Sequence, residues 1–272
     1  MAESKTIERM ESPNTRETLV RDLRLLGLEA GQTILVHSSL SSMGWVSGGP
    51  VAVAQALMDV VTASGTLVMP THSSGLTEPS RWANPPVPSS WWEIIRQSMP
   101  AFDEAFTPSQ RMGAIPETFR SFPGVQRSSH PTGSFAAWGL NAHSVVGRHD
   151  LQFSLGEGSP LARIYDLSGW VLLLGVGHDR NTSLHLSEIR AEMAPVIEQG
   201  SPILENGCRV WKSYPEYKYD SDSFVELGAA VETKNEVQQS LVGAATCKLI
   251  RQRDLVDFGV RWFADRGGNA HQ

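Results

Sequence analysis

Residues 170–174 read Trp-Val-Leu-Leu-Leu and run straight into Gly175-Val176-Gly177. Five consecutive apolar residues leave no polar face, so this segment is predicted to be a buried strand that ends in a tight glycine turn. Residues 33–36 (TILV) and 66–69 (TLVM) are two further short apolar strands, the second stopped by Pro70. Helical patterns alternate with them. Residues 15–26 set Leu19, Leu23 and Leu26 on one face, with Gly27 as the stop. Residues 50–61 form a helix with Pro50 in its first turn, after Gly48-Gly49. Buried strands alternating with helices predict a layered α/β domain.

The rest of the chain is less periodic. Residues 71–108, rich in Ser, Pro and Trp, read as a long functional loop with a short helix over 91–98. A helix is expected over 114–120, before Phe122-Pro123-Gly124, and another through 184–193, capped by Asn181 or Thr182. Residues 211–222 suit an edge strand with its loop, and 224–230 and 244–250 suit helical pieces. No repeat, low-complexity tract or linker interrupts the 272 residues. One domain over 1–272 is therefore expected, with polar tails at 1–14 and 262–272.

Charge and cysteine content narrow the function. The 23 basic and 29 acidic residues give a net charge of −6, with no Lys/Arg stripe to neutralise phosphates, so nucleic acid is not an expected partner. No apolar run approaches the ~20 residues that span a bilayer, and the polar N-terminal segment lacks a secretory pattern; a cytoplasmic protein off the membrane is expected. Cys208 and Cys247 are too few for a disulfide scaffold or a four-cysteine zinc site.

Chemistry concentrates in residues 175–190 (GVGHDRNTSLHLSEIR). His185 and Glu188 stand three apart and share a helical face, where the carboxylate can hold one imidazole tautomer and stabilise the imidazolium formed on proton abstraction. The same H-x-x-E pattern also makes plain surface ion pairs. Its place at the C-terminal end of a buried strand, where α/β proteins build sites, favours a general base. His178-Asp179 is either a second functional pair or a solvated turn. Residues 37–49 (HSSLSSMGWVSGG) offer serine hydroxyls and glycine amides ahead of a helix: an anion cradle or an ordinary polar turn. They match neither the Walker P-loop nor the dinucleotide fingerprint. His130 is extended before Pro131 and either lines a pocket or packs its ring. Trp82, Trp91 and Trp92 anchor the long loop or wall a ligand. Asp220 and Asp222 are either solvated or set to attract an ammonium group. H-E-x-x-H and G-x-S-x-G are both absent.

Taken in order, LVHSSLSSMGWVSGG, MPTHSS, NPPVP, TPSQRMGAIPETFR, RSSHPTGSFAAWG and VLLLGVGHDRNTSLHLSE resemble the aminoglycoside 3-N-acetyltransferase family over roughly residues 15–260. The resemblance implies acetyl transfer from acetyl-coenzyme A to the 3-amine of the 2-deoxystreptamine ring, with antibiotic resistance as the result. It also implies an α/β/α fold with a mixed central sheet, distinct from the Gcn5-type fold. Gln110 to Ile115 (QRMGAI) indeed fails the Gcn5-type pyrophosphate pattern. By the same resemblance, His185 and Glu188 match the catalytic pair. His37, Ser38, Ser39, Ser41, Met112, Gly113 and Ala114 fall where the family contacts coenzyme A. Asp222 and Asp220, with Glu78 and His130, fall at acceptor positions. No metal is expected, and the chain is a monomer or homodimer.

Three other readings compete: a same-fold transferase for a non-antibiotic amine, a metal-dependent hydrolase using His178, Asp179, His185 and Glu188, and a binding module without turnover. An acceptor screen, metal analysis with chelation, and a turnover assay separate them.

Overall fold

The computed structural model describes residues 2–8, 10–234 and 236–267. Helix α1 (Ala2–Ile7) is followed by α2 (Arg16–Leu25), β1 (Thr33–Ser38), α3 (Gly49–Val61) and β2 (Thr66–Pro70). Then come α4 (Trp92–Ser98), α5 (Ala114–Phe119), β3 (Gln126–Arg127), β4 (Phe135–Gly139), α6 (Ala142–Val146) and α7 (Pro160–Asp166). The chain continues with β5 (Trp170–Leu174), α8 (Ser183–Arg190), β6 (Val196–Glu205) and β7 (Cys208–Tyr217). It ends with α9 (Phe224–Lys234), β8 (Gln238–Val242), β9 (Ala245–Arg251) and α10 (Gln252–Gly267).

Seven strands form one mixed sheet in the order β3-β4-β2-β1-β5-β9-β8. β1 lies parallel to both β2 and β5, while the outer strands run antiparallel. Strand alternation sorts the core. Ile34, Val36, Leu67 and Leu172 pack with α2 and α3 on one side, and Leu35, Val68 and Ile250 pack with α6 to α10 on the other. A three-layer α/β/α arrangement results. Because the chain leaves β1 for β2 and reaches β5 on β1's other flank, the C-terminal ends of these parallel strands open a crevice there.

Several expectations are corrected. Residues 244–250 are not helical: Ala244 ends the turn from β8, and 245–250 lie in β9, where Ala245, Cys247 and Leu249 are buried and the strand pairs with both β5 and β8. Residues 211–222 do not edge the main sheet: β7 pairs with β6 in a separate two-stranded ribbon, closed by Asn206-Gly207 with both φ positive (52° and 77°). Helix α8 stops at Arg190 rather than 193. The segment expected as a polar tail over 1–14 contains α1 and is tied down: Asn14 Nδ2 donates to the Met43 carbonyl, and the Trp45 amide donates to Met10 Sδ. Helix α10 carries through residues 262–267, and the remainder of that expected tail lies outside the described residues. The long segment 71–108 holds α4 and three 3-10 turns.

Candidate active site

A cavity of about 890 Å³ opens at the crevice between β1 and β5. The 3-10 turn over Leu40–Met43 and the first residue of α3, Gly49, form one wall. Gly175, Val176 and Gly177 form the second, and Arg111 to Ala114 the third. All seven residues assigned to the cofactor by resemblance, His37, Ser38, Ser39, Ser41, Met112, Gly113 and Ala114, line it together. The turn is braced from within: Ser42 Oγ donates to the Gly175 carbonyl at 2.7 Å and lies 3.0 Å from the Ser39 carbonyl. Gly175 adopts φ +71°, and an added Cβ there would lie 2.5 Å from Ser42 Oγ, so glycine is required.

Arg111 and Arg180 also line the cavity and were not singled out from the sequence. Arg111 immediately precedes the Met112-Gly113 turn, a cation beside a backbone-rich cradle, which is the signal that marks it. Arg180 pairs with Asp179 at 3.0 Å. The residues present fit an acyl-coenzyme A. The space is large, two guanidiniums suit phosphates, and the buried Ser38 Oγ has no hydrogen-bond partner.

Thr182, which caps the start of α8, is the last wall residue, and His185 follows one helical turn along α8, outside that lining. His185 Nδ1 lies 3.0 Å from Glu188 Oε2, and the two side chains are 14% and 6% exposed. The carboxylate therefore fixes the hydrogen on Nδ1 and leaves the Nε2 lone pair available. Tyr219 and Phe224 lie against the ring, with centroids 4.9 and 4.7 Å away. His37 Nε2 is 3.3 Å from Thr182 Oγ1. Burial, reinforced by His178 and His185, pushes His37 down to about 3, so this neighbour stays neutral at pH 7. Burial likewise pushes His72 down to about 3, with His37 and His185 among the groups acting on it.

The four acceptor residues assigned by resemblance lie outside this cavity. Glu78 accepts two hydrogen bonds from Arg96 and one from the Ser80 amide, tying the long loop to α4. His130 is 1% exposed, with Nδ1 accepting from the Gly133 amide and Nε2 against the Leu151 carbonyl, so both ring nitrogens are engaged. Asp220 and Asp222 are exposed in the connection from β7 to α9, where the Asp222 amide donates to Asp220 Oδ1. His178 and Asp179 do not pair with each other: His178 is buried on Glu232 at 3.0 Å, and Glu232 also binds Lys248. Among the described residues, no three His, Cys, Asp or Glu side chains converge as metal ligands. No described helix is long and apolar enough to cross a membrane.

Residues 35–264 match the sequence profile of the aminoglycoside 3-N-acetyltransferases. The chain belongs to this family. It is 48% identical over 260 residues to the SPbeta prophage-derived aminoglycoside N(3′)-acetyltransferase-like protein YokD of Bacillus subtilis, covering 95% of this chain and 96% of the relative. Aminoglycoside N(3)-acetyltransferase VII of Streptomyces paromomycinus is 34% identical, with 98% of both chains covered. The crystal structure of YokD superposes with TM-score 0.96 at 47% identity, covering 97% of this chain and 98% of that one. AAC-IIIb, solved as a binary complex with CoASH, gives 0.82 at 30% identity over 94% of this chain and 98% of its own. AAC-VIa bound to sisomicin gives 0.84 at 31% identity over 94% and 99%. The fold expected from the resemblance, an α/β structure with a mixed central sheet, is the family's fold.

Proposed function

We propose that the protein transfers the acetyl group of acetyl-coenzyme A to the 3-amine of aminoglycosides, with His185 as general base. The observation that carries this reading is the part-buried His185–Glu188 pair one helical turn beyond a cavity that suits coenzyme A. Acetyl-coenzyme A, when bound, supplies an acyl thioester. Ser38 to Ser41, Gly113 and the two guanidiniums of Arg111 and Arg180 would hold its phosphates and pantetheine arm.

An aminoglycoside amine is protonated at neutral pH and attacks only once neutral. His185 Nε2 takes that proton while its Nδ1–H stays on Glu188, whose negative charge stabilises the imidazolium; a positioned base of this kind contributes about 10²- to 10⁴-fold. The N–C bond then forms as the C–S bond breaks; the proton held on His185 passes to the departing sulfur, and the proton left on the new amide nitrogen is shed through the freed imidazole to solvent, giving amide, free thiol and one released proton. Direct transfer is supported by the cysteines. Burial pushes the Cys247 thiol up to about 11, so it is a poor nucleophile, and Cys208 is exposed in the ribbon, outside the cavity lining. The net charge of −6 favours approach of a polycationic acceptor.

A thiol-release assay with acetyl-coenzyme A across gentamicin-, kanamycin- and neomycin-type acceptors tests the reading. Acceptor-dependent release with the acetyl group on the 3-nitrogen is expected. No release with any of them, or acetylation elsewhere, overturns it.

A further inference from the structure

His185 is gripped on its flanks as well as at Nδ1. Phe224 begins α9 and is 1% exposed, so its place against the imidazole follows from core packing. Tyr219 lies instead in the connection between β7 and α9, where packing alone does not fix a side chain. Its hydroxyl does. It donates to Glu216 Oε1 at 2.7 Å, accepts from the Leu155 amide at 3.0 Å and lies 3.3 Å from Ser154 Oγ.

Glu216 is 4% exposed and has no Lys or Arg partner among the described residues. A carboxylate kept from water without a cation relies on its hydrogen bonds, and Glu216 collects them from the Ser154 and Tyr217 amides and from the Tyr219 hydroxyl. Burial and this carboxylate push the Tyr219 phenol well above its ordinary ionisation range, so it remains a donor. The clamp is rooted in the main sheet. The Ser154 carbonyl faces His149 Nε2 at 2.7 Å, His149 Nδ1 faces Ser128 Oγ at 2.9 Å, and Ser128 Oγ accepts from the Phe135 amide in β4.

We infer that Tyr219, clamped by Glu216 and the Leu155 amide, is a positioning residue that holds the His185 imidazole plane against Glu188. The inference rests on the reading of His185 as the base. Without the clamp the ring has room to rotate about its Cβ–Cγ bond, and a base turned away from its acceptor loses most of the benefit of being positioned. Glu188 bonds the ring from the same helix, and His37 from β1 and His72 after β2 interact with it electrostatically.

The test combines kinetics with NMR of the ¹⁵N-histidine-labelled full chain, following the His185 Nδ1–H resonance assigned by its absence in His185→Ala. Tyr219→Leu is expected to lower kcat by about tenfold or more, to leave the acetyl-coenzyme A KM within about twofold, and to lose the resonance to solvent exchange. Tyr219→Phe, which keeps the ring but loses the bonds to Glu216 and the Leu155 amide, should lower kcat about threefold and speed that exchange; Glu216→Gln, which weakens only the bond between Tyr219 and residue 216, should do both to a smaller extent, and the double variant should be no worse than Tyr219→Phe, which already lacks that bond. A Tyr219→Leu protein with unchanged kcat, or with lowered kcat but an unchanged resonance, overturns the inference. Should Tyr219→Leu fail to fold, unchanged exchange in the two milder variants overturns it instead. The resonance is read without turnover, so a fully active His185→Ala would sink the base assignment while leaving the positioning result to stand or fall separately.

Discussion

Replacing Glu188 by glutamine removes a charge and little volume. Its carboxylate sits 3.0 Å from His185 Nδ1 and is 6% exposed, so solvent screens the pair weakly. Two unit charges about 4 Å apart at an effective dielectric of about 20 interact by ~4 kcal/mol, which bounds the effect from above. The amide oxygen of Gln still accepts from Nδ1–H, and the net difference between a charged and a neutral acceptor is ~1.5 kcal/mol, which bounds it from below. The loss falls on the imidazolium formed during transfer and not on the neutral ring, so it appears in kcat. At ~1.4 kcal/mol per tenfold, Glu188→Gln is expected to lower kcat by about ten- to a thousandfold. Initial rates of thiol release at saturating acetyl-coenzyme A and acceptor measure it, with the acetyl-coenzyme A KM as control, since the cofactor cavity is lined by other residues. A kcat within about twofold of wild type, in a variant that binds coenzyme A normally, would refute the role given to the carboxylate.

Acid should unfold the protein through its buried histidines. Burial lowers His37 and His72 to about 3 and His149 to about 4, from 6.5 in the open chain. Between those values the unfolded chain binds protons that the folded chain refuses. Stability is therefore full above pH 6.5 and falls below it, by up to ~1.4 kcal/mol per pH unit for each ring. Urea midpoints that stay constant from neutral pH down to about pH 5 would contradict this. Gly175→Ala, which sets a Cβ 2.5 Å from Ser42 Oγ at φ +71°, should destabilise by ~1–3 kcal/mol, read as a lower Tm, and raise the acetyl-coenzyme A KM by distorting the serine turn. Arg111→Ala should raise that KM about tenfold with kcat little changed, an effect that shrinks as salt is added; initial-rate kinetics at two ionic strengths check it.

The central sheet was legible where burial left no ambiguity. TILV, TLVM and WVLLL are apolar at almost every position because β1, β2 and β5 are covered on both faces. The outer strands were not. ATCKLIR at β9 mixes Thr, Lys and Arg with buried Ala245, Cys247 and Leu249, and only pairing with β5 and β8 decides for strand over helix. The β6–β7 ribbon carried a readable signal in Asn206-Gly207, a dipeptide that tolerates the positive φ of a tight hairpin. Spacing alone placed His185 beside Glu188, because three residues on a helix is a local relation. Tyr219 and Glu216 could not be found that way. Their bonds run to Leu155 and Ser154, more than sixty residues back in the chain, and only the folded ribbon brings them together.

The most direct trial of the account is the His185→Ala variant in the thiol-release assay, with acetyl-coenzyme A and an aminoglycoside acceptor both saturating at neutral pH. A kcat lowered by about 10²- to 10⁴-fold, with coenzyme A binding intact, is the predicted result. Turnover within a few-fold of wild type would contradict it.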